Sequence, residues 1–112
     1  MIVREFVISE GRERDFEKVF GSDGIWPELL RWSAEYLGTE FRLESKAGRR
    51  YKVFDYWQSH EDFESFRKQH QQQYEKFSQL IASDGLVLRE TVLGSFYRNE
   101  SDFDEGTGLV PA

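Results

Sequence analysis

The chain has 112 residues, a formal charge of −6, no cysteine and a mean hydropathy of −0.68. That length supports one hydrophobic core and not two. The missing cysteines exclude a disulfide framework and a thiolate metal site, and no apolar run approaches the ~18 residues of a membrane span. Glu100, Asp102, Asp104 and Glu105 supply four of the negative charges, leaving about −2 before Asn99. No basic stripe remains to displace counterions from a nucleic acid, so that partner is excluded. The opening Met1-Ile2-Val3-Arg4-Glu5 lacks the apolar stretch of a signal peptide, which makes the cytoplasm the expected compartment.

Ile2 to Ile8 is rich in strand formers and gives way to a polar turn at Ser9-Glu10-Gly11-Arg12. Phe16, Val19 and Phe20 then recur at helical spacing. Gly21-Ser22-Asp23-Gly24 interrupts, and Ile25, Trp26, Leu29 and Leu30 resume the spacing with Pro27 in a first turn, which predicts a helix in two pieces. Leu37, Thr39, Phe41 and Leu43 alternate with Gly38, Glu40, Arg42 and Glu44, the period of two of a strand with one buried face. Lys46-Ala47-Gly48-Arg49 turns this strand into a third, Tyr51 to Trp57. Ser59 is a helix N-cap with Asp62 three residues on, and Phe63, Phe66, His70, Tyr74, Phe77 and Ile81 mark one buried face of a single long helix. Ser83-Asp84-Gly85 stops it, and Leu86 to Tyr97 reads as the last strand.

The order βαββαβ predicts an α+β domain over residues 1–97, a ferredoxin-like four-stranded antiparallel sheet with both helices on one face. An acidic tail, residues 98–112, offers too little apolar surface to offset the entropy of ordering. Phe, Tyr and Trp make up 16% of the chain, more than two helices on one face of a small sheet can cover. A homodimer that buries the other sheet face is the expected assembly.

Trp57-Gln58-Ser59 with Phe63 and Phe66 beyond it, Gly24-Ile25-Trp26-Pro27, Tyr36-Leu37-Gly38-Thr39 and Thr91-Val92-Leu93-Gly94-Ser95-Phe96 resemble the antibiotic-biosynthesis-monooxygenase family of dimeric α+β barrels. The likeness runs from Ile2 to about Tyr97 and rests on framework positions. It implies that two ferredoxin-like subunits pack sheet to sheet, each keeping a pocket between its helices and its sheet. It also implies cofactor-free oxidation of an aromatic polyketide, haem degradation, or no catalysis. Trp57 matches the strand-end Trp of the polyketide oxygenases, whereas their Asn four residues earlier falls on Val53 and their Tyr six residues later on Phe63. The helix Trp and later His of the haem-degrading branch fall on Phe66 and Lys76, and the first strand has no Asn, which disfavours haem.

Among the remaining residues, His70 shares the helical stripe with Phe66 and Tyr74 and is the natural general base for a phenol or an activated carbon acid. The alternative is a core histidine bonded to a backbone carbonyl, Asp55 or Tyr74. Asp55 shares a strand face with Val53 and Trp57, where it orients a base or substrate hydroxyl, forms an ion pair or lies at an exposed strand end. Tyr36, Tyr51, Tyr56 and Tyr74 are either donors to an oxyanion or core and interface rings, and Tyr74 is selected for its place beside His70. The catalytic candidates are therefore His70, Trp57 and Tyr74, with Trp26, Asp55, Tyr36, Phe63 and Phe66 as substrate contacts. His60 and Glu64 lie four apart on the helix, but no third metal ligand stands nearby, and no Gly-rich phosphate loop occurs. No metal and no cofactor is expected. The function these readings point to is a cofactor-independent monooxygenase for an aromatic or polyketide-like molecule. The alternative is a non-catalytic small-molecule-binding or stress-associated protein of the same fold.

Overall fold

The computed structural model describes residues 1–97 and 110–111. In chain order the elements are β1 (Ile2–Ile8), α1 (Glu13–Phe20), α2 (Ile25–Leu30), β2 (Tyr36–Ser45), β3 (Arg50–Trp57), α3 (His60–Gln69), α4 (Gln71–Ser83), β4 (Val87–Tyr97) and β5 (Val110–Pro111). Every pairing is antiparallel, and the sheet order is β2-β3-β1-β4, with the two residues of β5 added beside Phe96 and Tyr97. This α+β architecture, an open four-stranded antiparallel sheet with helices, is compatible with the predicted ferredoxin-like arrangement. The predicted flexible tail otherwise lies outside the described residues. Among the described residues no helix is long and apolar enough to cross a membrane.

Local chemistry sets several boundaries where the sequence signals put them. The Ser59 hydroxyl accepts from the Asp62 backbone N–H at 3.1 Å and lies 2.9 Å from its carboxylate, which fixes the start of α3 directly after Trp57. Gly24 separates α1 from α2 because a Cβ there would come within 2.1 Å of the Val19 carbonyl oxygen. The chain can turn so tightly only with glycine at that point. Gly85, at φ 77°, ends the last helix in the left-handed region.

Three expectations need correction. The long second helix is broken at His70, whose φ of −116° and ψ of 33° lie outside the helical region, so α3 and α4 are separate rods. The bend lets α3 rest on Trp57 through Phe63 and Phe66 while α4 sets Tyr74 and Phe77 against Trp26 and Phe20. Apolar spacing continues unchanged through one non-helical residue, which is why the break was invisible in the pattern. In β2 the register slips between Tyr36 and Gly38, so Tyr36 turns toward the helices and Leu37 is 62% exposed. Leu43, at the far end of this edge strand, is 49% exposed.

The third correction concerns the aromatic content. Phe6, Phe16, Phe20, Trp26, Tyr51, Trp57, Phe66 and Phe77 are all buried in the single layer between helices and sheet, with Phe16 stacked on Tyr51 at 4.3 Å. The opposite face is not an apolar plate. Register and alternation put Glu5, Glu40, Arg42, Arg50, Lys52 and Arg89 there. Arg50 faces Glu5 at 3.8 Å, Lys52 faces Glu44 at 3.9 Å, and Arg42 covers the Phe54 ring at 5.0 Å. The same register also puts Val3, Val7, Phe54 and Tyr56 on that face, so it is mixed, with apolar and aromatic groups set among the charges. Part of the apolar surface that stays exposed lies on β4, where Leu88, Val92 and Leu93 are 61%, 65% and 43% exposed, and the rest is scattered over Ile25, Trp32, Leu37, Leu43 and Leu80.

Candidate functional site

The inward positions of β1 read Ile2, Arg4, Phe6, Ile8 and those of β3 read Tyr51, Val53, Asp55, Trp57. A cation and an anion thus occupy the buried face of neighbouring strands, and they find each other: Arg4 Nη2 donates to Asp55 Oδ2 at 2.6 Å. Both residues are nearly fully buried. A buried charge needs every valence met, and Asp55 Oδ1 also accepts from Trp26 Nε1 at 2.9 Å and Thr39 Oγ1 at 2.7 Å. Arg4 Nη1 donates to Glu90 at 3.2 Å, and the guanidinium lies 4.4 Å from the Trp26 ring centre. Burial on its own lowers the Arg4 pKa, but Asp55, Tyr74 and Glu90 more than offset it and hold the guanidinium above its ordinary value. Arg4 Nε is buried without an acceptor among the described residues.

Arg4, held from behind by Asp55, lines a cavity of about 440 Å³ between the α3–α4 pair and the β1–β4 half of the sheet. Arg4, His60, Phe63, Tyr74, Glu90 and Ser95 are among the groups that line it. A groove of about 460 Å³ on the outer side of the helix pair shares Glu64, Arg67, Tyr74 and Ser78 with it. Within the cavity His60 Nδ1 lies 3.0 Å from Ser95 Oγ, and His60 Nε2 lies 3.7 Å from Glu64 Oε1. Ser95 is buried, whereas His60 and Glu64 are partly exposed at the rim. Burial raises the Tyr74 phenol above its ordinary value, partly opposed by Arg4, so Tyr74 is a neutral donor at physiological pH and not a base.

The structure divides the residues singled out from the sequence between three places. Tyr74 and Phe63 line the main cavity. Trp26 and Asp55 form its buried support, with Tyr36 joining through Thr39, so Asp55 is an ion-pair member, one of the three readings its sequence position left open, and not an exposed strand end. Trp57 lies behind Phe63, packed against Tyr36 and Phe66, with its Nε1 buried and unpaired among the described residues. His70 is brought beside neither Asp55 nor the main cavity. It sits in the α3–α4 break, 5.1 Å from the Trp32 ring centre and 4.8 Å from that of Phe66, and lines a separate pocket of about 240 Å³. Tyr51 and Tyr56 hydrogen-bond Glu17 and Glu40, away from the cavity.

Sequence reasoning missed Arg4, Glu90 and Ser95, and weighed His60 only as a metal ligand. Arg4 was detectable, since a lone arginine in the inward phase of an apolar strand requires a buried partner and Asp55 is its counterpart. Ser95 and Glu90 carried no such signal, because a serine or glutamate in an edge strand is ordinarily solvated. Comparison of the chain with protein-family models, with curated proteins and with solved structures finds no match in any of the three.

Proposed function

We propose that the chain is a small cofactor-independent monooxygenase, similar to the antibiotic-biosynthesis monooxygenases. It takes an aromatic or polyketide-like substrate with an acidic hydroxyl or enol into the cavity between α3–α4 and β1–β4. The observation that carries the reading is this cavity of about 440 Å³, in which an imidazole, a neutral phenol and a buried guanidinium converge beside an aromatic wall. A volume of several hundred cubic ångströms suits one small organic molecule. His60 lines the cavity and His70 does not, so His60 is the base in this mechanism.

His60 takes the proton from the substrate hydroxyl or from the activated methylene. Tyr74 and Arg4 lower the energy of the resulting anion through hydrogen bonding and charge. The electron-rich anion passes one electron to dioxygen, the two radicals combine, and loss of water leaves a quinone. For an anthrone the balance is one dioxygen consumed, a methylene turned to a carbonyl and one water released. Phe63 and Ile2 supply apolar lining beside the intermediate.

The test is aerobic against anaerobic incubation with hydroxyanthrones and dihydroquinones, following quinone absorbance and oxygen uptake. Oxygen-dependent turnover that disappears in His60→Gln supports the reading. Binding without turnover favours instead a non-catalytic binding module. That second reading draws on Asp55 and Arg4 already satisfying one another and on Val53 and Phe63 standing where the polyketide oxygenases carry polar groups. As an assembly we propose a homodimer of the dimeric α+β-barrel kind, supported by the apolar Leu88 and Leu93 left exposed on β4. Light scattering should give about twice the 13.3 kDa chain mass.

A further inference from the structure

The contact between Ser95 and His60 has a chemistry that the oxidation does not use. Ser95 Oγ is 3.0 Å from His60 Nδ1, and the far ring nitrogen faces the Glu64 carboxylate at 3.7 Å. A hydroxyl, an imidazole and a carboxylate in series are the parts of an activated nucleophile, whichever ring nitrogen faces which partner. Here Nδ1 serves the serine and Nε2 the acid, the reverse of the chymotrypsin arrangement. A second observation sets this contact apart from an ordinary surface hydrogen bond. Ser95 is 7% exposed, yet both it and His60 line the cavity, so the hydroxyl is shielded from bulk water while an entering molecule can reach it. Arg4, 4% exposed, lines the same cavity, and its positive charge can stabilise negative charge that develops on a bound carbonyl.

We infer that Ser95 is a nucleophile activated by His60, and that the cavity accepts short-chain aryl esters as acyl donors. The Ser95 oxygen forms a bond to the ester carbonyl carbon as its proton moves to His60 Nδ1. Collapse of the tetrahedral adduct breaks the bond to the aryl oxygen, which takes the proton from His60. Water, deprotonated by the same imidazole, then attacks the acyl-serine and releases the carboxylic acid, and Ser95 recovers its proton. Glu64 steadies the transient imidazolium. Phe63 and Val92, which line the same space, favour the aryl group. Neither dioxygen nor an acidic substrate proton enters these steps, so this activity stands or falls separately from the oxidation.

The test uses the full chain with an alkyl fluorophosphonate read by intact mass and peptide mapping, and with p-nitrophenyl acetate read by release of nitrophenol. The wild type should gain one adduct at Ser95. Ser95→Ala should gain none, and His60→Gln should react about a hundredfold more slowly, within the range that a positioned base contributes. Circular-dichroism melts verify that each variant is folded. His60 lies at the rim on the first turn of α3, and Ser95→Ala removes one atom, so both should melt near the wild type. A folded wild type that takes up no probe at millimolar concentration overturns the inference. So does an adduct that persists in Ser95→Ala, or an equal rate in His60→Gln.

Discussion

Replacing Asp55 by leucine removes one member of the buried ion pair and leaves three donors behind. Arg4 Nη2 loses its 2.6 Å partner, Trp26 Nε1 its 2.9 Å partner and Thr39 Oγ1 its 2.7 Å partner, all within the helix–sheet layer. Breaking a buried pair from one side typically costs ~3–5 kcal/mol because the remaining charge is uncompensated. Glu90, 3.2 Å from Nη1 and partly solvated, still screens Arg4, while the orphaned indole N–H adds its own desolvation cost. These opposing corrections keep the expected loss near ~4 kcal/mol, a large share of the ~5–15 kcal/mol that holds a domain together. Urea unfolding of the wild type, Asp55→Leu, Arg4→Met and the double variant forms a complete cycle. Removing both charges leaves no buried ion, so the double variant should be more stable than the sum of the single losses implies, with a coupling of roughly 2–3 kcal/mol. An Asp55→Leu loss below about 1 kcal/mol, or singles that simply add, would refute the view that the pair is desolvated and mutually dependent.

Phe66→Ala empties a fully enclosed ring site against Trp57 and should cost ~3–5 kcal/mol, whereas His70→Ala, at the edge of the helix break, should cost less than ~1 kcal/mol; denaturant midpoints ranked the other way would show that His70 is the core residue. Gly24→Ala drives a Cβ to 2.1 Å from the Val19 carbonyl oxygen, so the thermal midpoint should fall by an amount equivalent to ~1–3 kcal/mol, and an unchanged midpoint contradicts the close approach. Burial, aided by Glu17, pushes the Tyr51 phenol up to about 12. With the folded value above the ordinary one, this stabilising contribution is complete below pH ~10 and is lost as pH rises through 12. Alkaline titration of stability should therefore fall in that window by up to ~2–3 kcal/mol, and in Tyr51→Phe the fall should be shallower.

By itself the sequence determined strands β1 to β4 and the helical segments between them, in order. Period-two and period-three-to-four spacing reflects which side chains leave water, and capping at Ser59 or the glycine at position 24 reflects local backbone geometry, so both are written into neighbouring residues. The sequence also held, unread, the pairing of Arg4 with Asp55, since opposite charges in the buried phase of two strands have no other cheap arrangement. Tertiary structure alone decided the rest. The break at His70 depends on what α3 and α4 must each cover, and the bulge at Leu37 depends on how β2 meets β3. Both leave the apolar spacing intact, so spacing cannot announce them. The meeting of His60 with Ser95, 35 residues apart on a helix start and an edge strand, is likewise a product of packing. A polar residue at a strand edge is indistinguishable in sequence from a solvated one until another element closes a cavity over it.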